Sequence, residues 1–143
     1  MNTIKTEQLA KVLGYAGLIP FVVFSIGTWI DLPGVQNADF VLRTYGAIIL
    51  SFMGAIHWGA AMSHQGKPAQ VQLALSVFPA LFGWAALLIA HTYSYSILII
   101  AFVTLCVMDQ RAAKDNLVPA WYVPMRIVLT TVVVLSLIAA ALA

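Results

Sequence analysis

Three side chains set the chemical question. His57 stands in the run Gly54-Ala55-Ile56-His57-Trp58-Gly59, Asp109 closes one long apolar stretch, and Arg126 opens another. A histidine changes charge near physiological pH, a carboxylate orients one of its ring nitrogens, and a guanidinium beside that carboxylate keeps it ionised. With the indole of Trp58, these residues form a candidate functional cluster: His57, Trp58, Asp109 and Arg126. Such a set suits a ligand clamp that responds to protons, or a lock between helices. It is not a catalytic triad, because no serine or thiol nucleophile is placed beside it. No catalytic residues are assigned, and an enzyme is the weaker expectation.

Other chemistries find little footing. His64 and His91 fall in different connections, so two histidines at one depth, as haem ligation would want, are not expected. No HExxH, CxxC, P-loop or GxGxxG pattern occurs. The single cysteine, Cys106, excludes an internal disulfide and a cysteine metal cage. No metal and no resident cofactor are predicted, although the groups around His57 suit a bound lipid or quinone.

The elements that must position these residues follow from composition. Apolar residues make up 62% of the 143 and charged residues 8%, against about 45–50% and 25% in soluble domains. The mean hydropathy is +0.96. Seven basic and five acidic residues cannot cover a water-soluble globule of this size. A cytosolic enzyme, a nucleic-acid-binding domain and a disordered chain are thereby excluded, and the net charge of +2 signals no nucleic-acid partner. Lipid is the expected solvent.

A spanning helix needs about 20 mostly apolar residues. Five such runs occur, at about 9–30, 40–62, 71–90, 93–109 and 122–142. They are continuous and lack period-two alternation, which favours helices over strands. The fold class expected is therefore an all-α membrane protein, a five-helix transmembrane bundle in one integral domain over residues 1–143. The connections are short and carry turn residues, such as Asp31-Leu32-Pro33-Gly34 and Ser63-His64-Gln65-Gly66-Lys67-Pro68. No internal repeat is evident.

Basic residues orient the bundle. With the N-terminal side called side A, Lys5, Lys11, Lys67, Arg111, Lys114 and Arg126 lie on or near side A, and only Arg43 lies toward side B. That bias predicts a cytoplasmic N-terminus and a C-terminus on the opposite side. Trp29, Tyr45, Tyr93 and Tyr95 would form an aromatic belt at side B, with Trp121 and Tyr122 at the interface of side A. Antiparallel alternation then brings the side-A ends of the second, fourth and fifth helices into one layer, which holds His57, Asp109 and Arg126. His57 sits roughly 7–8 Å below its helix end at 1.5 Å per residue, a depth at which an ionisable group needs a partner or water.

Two further features bear on packing. Ala47, Ser51, Ala55 and Gly59 recur every four positions in the second helix, a small-residue row that lets another helix approach closely, within the bundle or from another chain. Pro79 falls near the middle of the third helix and should kink it. Asp39 and Arg43 read as a solvated i,i+4 pair.

Tyr45-Gly46-Ala47-Ile48-Ile49-Leu50-Ser51-Phe52, Ile56-His57-Trp58-Gly59, Ser76-Val77-Phe78-Pro79 and Pro119-Ala120-Trp121-Tyr122 with Arg126 resemble the signature of a known family. It is the domain of unknown function 3429, small multi-pass membrane proteins similar to transmembrane protein 69. The likeness runs from about Leu13 to Leu137. It implies a multi-pass protein of the bacterial inner membrane, or of the mitochondrial inner membrane in a eukaryote, and it implies no activity. It places His57 and Trp58 at the centre of what the family does.

The function expected from these features is non-enzymatic: an accessory, assembly or interaction partner of a larger membrane complex, with a respiratory one favoured by the family's distribution. Its partners would be the bilayer and other membrane subunits, or a second copy of itself. The alternative is a carrier or binder of a quinone, a lipid headgroup or a small anion, in a cytoplasmic-side pocket around His57.

Overall fold

The computed structural model describes residues 4–143, with side chains from Glu7 onward. Lys5, counted in the charge bias, lies outside the described side chains. Seven helices follow in order: α1 (Ile4–Ala16), α2 (Ile19–Gly27), α3 (Ala38–Met62), α4 (Lys67–Leu75), α5 (Phe78–Leu88), α6 (His91–Lys114) and α7 (Tyr122–Ala141). They make five helices long and apolar enough to cross a membrane: Glu7–Gly27, Ala38–Met62, Lys67–Leu88, His91–Lys114 and Tyr122–Ala141. No strand occurs among the described residues.

Two of the five are broken, each at a proline. Pro20 is the second residue of α2 and Pro79 the second of α5. A proline supplies no backbone N–H and its ring crowds the preceding turn, so the regular ladder stops just before it. The break at Pro79 is the kink expected from sequence. The break at Gly17-Leu18 is an addition, and Tyr45 of α3 donates its hydroxyl to the Gly17 carbonyl there at 3.0 Å. The fourth spanning helix also runs further than expected, reaching Lys114 rather than ending at Asp109. Asp109 thus lies inside a helix.

The helices α2, α3, α5, α6 and α7 close a ring, each against the next, and α3 touches α6 across its middle. Two glycines set how closely α3 meets the α4–α5 unit. A Cβ on Gly54 would fall 2.5 Å from the Ser76 carbonyl oxygen at the break, and one on Gly83 would fall 3.0 Å from the Ala47 backbone. Such close approach is how helices gain contact in lipid, where apolar burial offers no drive. The core between them is apolar and aromatic. Phe21 packs edge-on against Tyr45 at 5.0 Å and Phe102 at 5.8 Å, with Leu42, Leu50, Leu98, Leu105 and Leu137 fully enclosed.

The expected side-B belt holds only in part. Trp29 is exposed and its indole donates to the Ala139 carbonyl at 3.0 Å, and Tyr93 is exposed. Tyr45 instead turns inward to the α1–α2 break, and Tyr95 is buried, because each hydroxyl finds a partner inside the bundle. On side A, Tyr122 is also buried, with its hydroxyl toward the Met53 sulfur, while Trp121 stays half-buried.

Candidate functional site

The close approach at Gly54 positions the site. One helical turn later, α3 presents His57 to the bundle interior, and the packed α4 presents Gln72 to it. The Gln72 amide nitrogen meets His57 Nδ1. Which of the two nitrogens donates depends on the tautomer of the ring. His57 Nε2 lies 2.8 Å from Asp109 Oδ1 of α6, at ion-pair distance, and neither atom makes a hydrogen bond.

Asp109 Oδ2 in turn accepts from Arg126 Nε of α7 at 2.7 Å. Relative exposure is 0% for His57, 1% for Asp109 and 3% for Arg126. The three meet in one sealed layer drawn from three helices, and Gln72 makes it four. Breaking such a buried set by removing one charge is costly, since the other is left without water or partner.

The guanidinium is not saturated. Arg126 Nη2 is buried without a hydrogen-bond partner, and so is the hydroxyl of Thr130 one turn further along α7. Both residues line a partly open cavity of about 330 Å³ formed by α1, α2, α3, α6 and α7. Its other walls are almost wholly apolar, including Leu13, Gly17, Met53, Ile56, Met125 and Leu129. Most ligand pockets share this plan, an apolar body with a few placed polar groups, at about 300–1,000 Å³. A second cavity of about 280 Å³ is bounded by Lys67, Gln72, Arg111 and Asp115. The cluster Gln72–His57–Asp109–Arg126 thus touches the first cavity through Arg126 and the second through Gln72.

A family model described as protein of unknown function (DUF3429) matches residues 6–142. The chain belongs to this family. It is 34% identical over 133 residues to Transmembrane protein 69 of Xenopus tropicalis, covering 90% of this chain and 52% of that protein. It is also 34% identical over 130 residues to Transmembrane protein 69 of Mus musculus, covering 86% and 51%. The chain thus spans about half the length of the curated relatives it matches. No solved structure matches it.

Within this DUF3429 protein the Ile56-His57-Trp58-Gly59 run divides by helix face. His57 points inward, while Trp58 is 46% exposed and stands outside the cluster. Trp58 follows His57 by one residue, about 100° around a helix of 3.6 residues per turn. Ser51, Ala55 and Gly59 likewise face outward, and only Ala47 of that row packs inside, against Gly83. The anticipated pocket around His57 is displaced: the cavity meets the cluster at Arg126, not at the imidazole.

A second polar constellation escaped the sequence reading. At the side-B end of α3, Asp39 Oδ2 accepts from Arg43 Nε at 2.9 Å and Nη2 at 2.7 Å. Its Oδ1 accepts from the Tyr95 hydroxyl at 2.7 Å and lies 2.7 Å from His91 Nε2. Asp39 and Arg43 are thus more than a solvated pair, since α6 contributes two partners. The signal was in the spacing, because Asp39 precedes His57 by the same eighteen residues by which His91 precedes Asp109.

Proposed function

We propose that this protein is a membrane-embedded binder or carrier of an amphipathic small molecule, its polar head held by Arg126 and Thr130 and its apolar body by the cavity walls. The observation that carries this reading is that Arg126, whose Nη2 is buried without a hydrogen-bond partner, is one of the few polar residues lining the cavity. A buried donor without an acceptor costs free energy, and a ligand that supplies the acceptor would recover it. Quinones, lipids with anionic headgroups and fatty acids all carry such an acceptor on an apolar body. The basic residues of side A support placing the Arg126 end at the cytoplasmic face of an inner membrane.

The test is to purify the protein in mild detergent, extract it with organic solvent and identify what co-purifies by mass spectrometry. A stoichiometric amphiphile is expected with the natural sequence and should be lost from Gly14→Phe, whose ring would enter the cavity between α1 and Leu129. An empty extract, with no binding of added amphiphiles, would overturn the reading.

A second reading, an accessory or assembly subunit of a larger membrane complex, is favoured by one observation. Ser51, Ala55 and Gly59 form an outward row of small side chains on α3, the kind of surface a foreign helix can approach closely. Native electrophoresis of gently solubilised membranes separates the two: migration with a large assembly supports the subunit role, and migration as a small unit supports the binder.

A further inference from the structure

We infer that the cavity between α4 and α6 seats one anionic phospholipid, its phosphodiester between Lys67 and Arg111 and an acyl chain in the wedge below them. This site is separate from the cavity lined by Arg126 and does not rest on the binder role proposed for it. The break in the third spanning helix makes the space. Before the break, α4 packs on α3 and hardly touches α6; after it, α5 packs on both α3 and α6. The helix turns where Ser76 caps α4 and Pro79 stands second in α5, as a proline within a long helix does. The kink thus leaves a wedge of about 280 Å³, and every residue lining it belongs to α4 or to α6 with its C-cap Asp115.

The wedge has a charged rim and an apolar body. Lys67 is the first residue of α4 and Arg111 lies in the last turn of α6. The rim therefore stands at the ends of two spanning helices, the level of lipid headgroups. Both side chains are exposed. The ion pairs among the described residues engage other groups, so neither cation is neutralised by a carboxylate. Asp115 lies on the same rim and pairs with neither, which leaves two cations against one anion. Below the rim the lining is Val71, Leu75 and Met108. Leu75 follows Lys67 by eight residues, about 12 Å of rise at 1.5 Å per residue, so the wall descends from headgroup level to acyl level.

A phosphodiester on an apolar chain is the ligand that uses all of this surface. A guanidinium meets phosphate oxygens with a fork of N–H donors, and a lysine adds a point charge. Basic pockets between spanning helices recur as lipid headgroup sites. A free phosphate ion would use the rim and leave the apolar wall uncovered. A neutral lipid would cover the wall and leave the cations unanswered. The excess charge of the rim selects a headgroup with a net negative charge: phosphatidylglycerol brings the rim to neutrality, and its glycerol hydroxyls can donate to Asp115. Phosphatidylethanolamine, with no net charge, leaves the excess in place.

The test is native mass spectrometry of the full-length protein, stripped of lipid in mild detergent. It is titrated with phosphatidylglycerol, phosphatidylethanolamine and phosphatidylcholine of identical chains. One phosphatidylglycerol should bind at least severalfold more tightly than either of the others. Lys67→Gln and Arg111→Gln should each weaken it severalfold, and the double variant should bring it to the phosphatidylcholine level. Val71→Trp keeps both cations but fills the wedge, and should abolish the tight equivalent. Lys11→Gln removes the same charge from α1, which lines no part of the wedge, and should leave binding unchanged. Gly14→Phe, which fills the other cavity, should also leave it unchanged. Lys67, Val71 and Arg111 are exposed, and the glutamine variants keep the test decisive even where the tryptophan disturbs packing. Equal binding of the three lipids, a preference for phosphatidylethanolamine, or an equal loss in Lys11→Gln would overturn the inference. Tight binding that survives Val71→Trp would overturn it too. Loss in Gly14→Phe would also overturn it, and would move the phospholipid to the cavity lined by Arg126.

Discussion

Asp39 and His57 lie on one stripe of α3, eighteen residues apart, and each meets its complement from α6: His91 at 2.7 Å and Asp109 at 2.8 Å. Eighteen residues are about five turns of helix and about 27 Å of rise, close to the roughly 30 Å of a bilayer's hydrocarbon core. The two helices run in the same direction, and the residue types are exchanged between the ends. The α3–α6 seam is thus clamped at two levels five turns apart by a histidine–aspartate contact, with an arginine on each aspartate. The ends differ in burial: His57 is enclosed, whereas His91 is 56% exposed.

That difference predicts unequal consequences. Asp109→Asn leaves Arg126 as a buried charge without its carboxylate, and should cost about 3–5 kcal/mol of stability. His91→Ala removes one exposed member of a pair, and its cost should stay below about 1 kcal/mol. Thermal unfolding of both variants in the same detergent checks the ranking. Equal losses would mean that burial does not separate the two ends.

The contact between α3 and the α4–α5 break makes a second prediction. Gly54→Ala would set a Cβ 2.5 Å from the Ser76 carbonyl oxygen, so a backbone must shift. Overpacking of this kind costs about 1–3 kcal/mol. The same substitution at Gly59, where a Cβ meets nothing within 4 Å, should be close to neutral. Midpoints of thermal aggregation for the pair give the comparison, and a destabilised Gly59→Ala would show that this face is covered by something outside the chain.

Gln72→Leu isolates the hydrogen bond to His57 Nδ1. The ring keeps Asp109 but loses its only partner on α4. A buried polar atom left unpaired costs about 1–3 kcal/mol. Nitrogen-15 spectra of the labelled imidazole should report the altered tautomer or protonation state, and an unchanged spectrum would mean that Gln72 does not set it.

Much of this was legible in the sequence. Hydropathy alone delimits five spans, because each must keep lipid out of contact with charge, and antiparallel alternation alone brings His57, Asp109 and Arg126 to one level. What hydropathy does not carry is rotation about each helix axis. An apolar face turned to lipid and an apolar face turned inward read alike, so Trp58 could not be told from an inward residue, nor Tyr95 from a belt residue. Gln72 escaped attention because a glutamine near a helix start reads as interfacial. The spacing of Asp39, His57, His91 and Asp109 was the one pattern in the sequence that fixed rotation, since eighteen residues return to the same face.

Thr130 and Thr44 allow ligand binding to be separated from packing. Each has a buried hydroxyl without a partner, but only Thr130 lines the cavity. Valine has nearly the same shape and no polar atom to leave unsatisfied, and relief of such a group contributes about 1 kcal/mol. In protein stripped of amphiphile, both Thr130→Val and Thr44→Val should therefore raise the unfolding midpoint. Once ligand is added they should diverge: Thr44→Val keeps the full stabilisation by ligand, and Thr130→Val loses part of it, because that hydroxyl is one of the head's two donors. If ligand stabilises both variants equally, the Thr130 hydroxyl has no part in binding, and its lack of a partner is a packing cost alone.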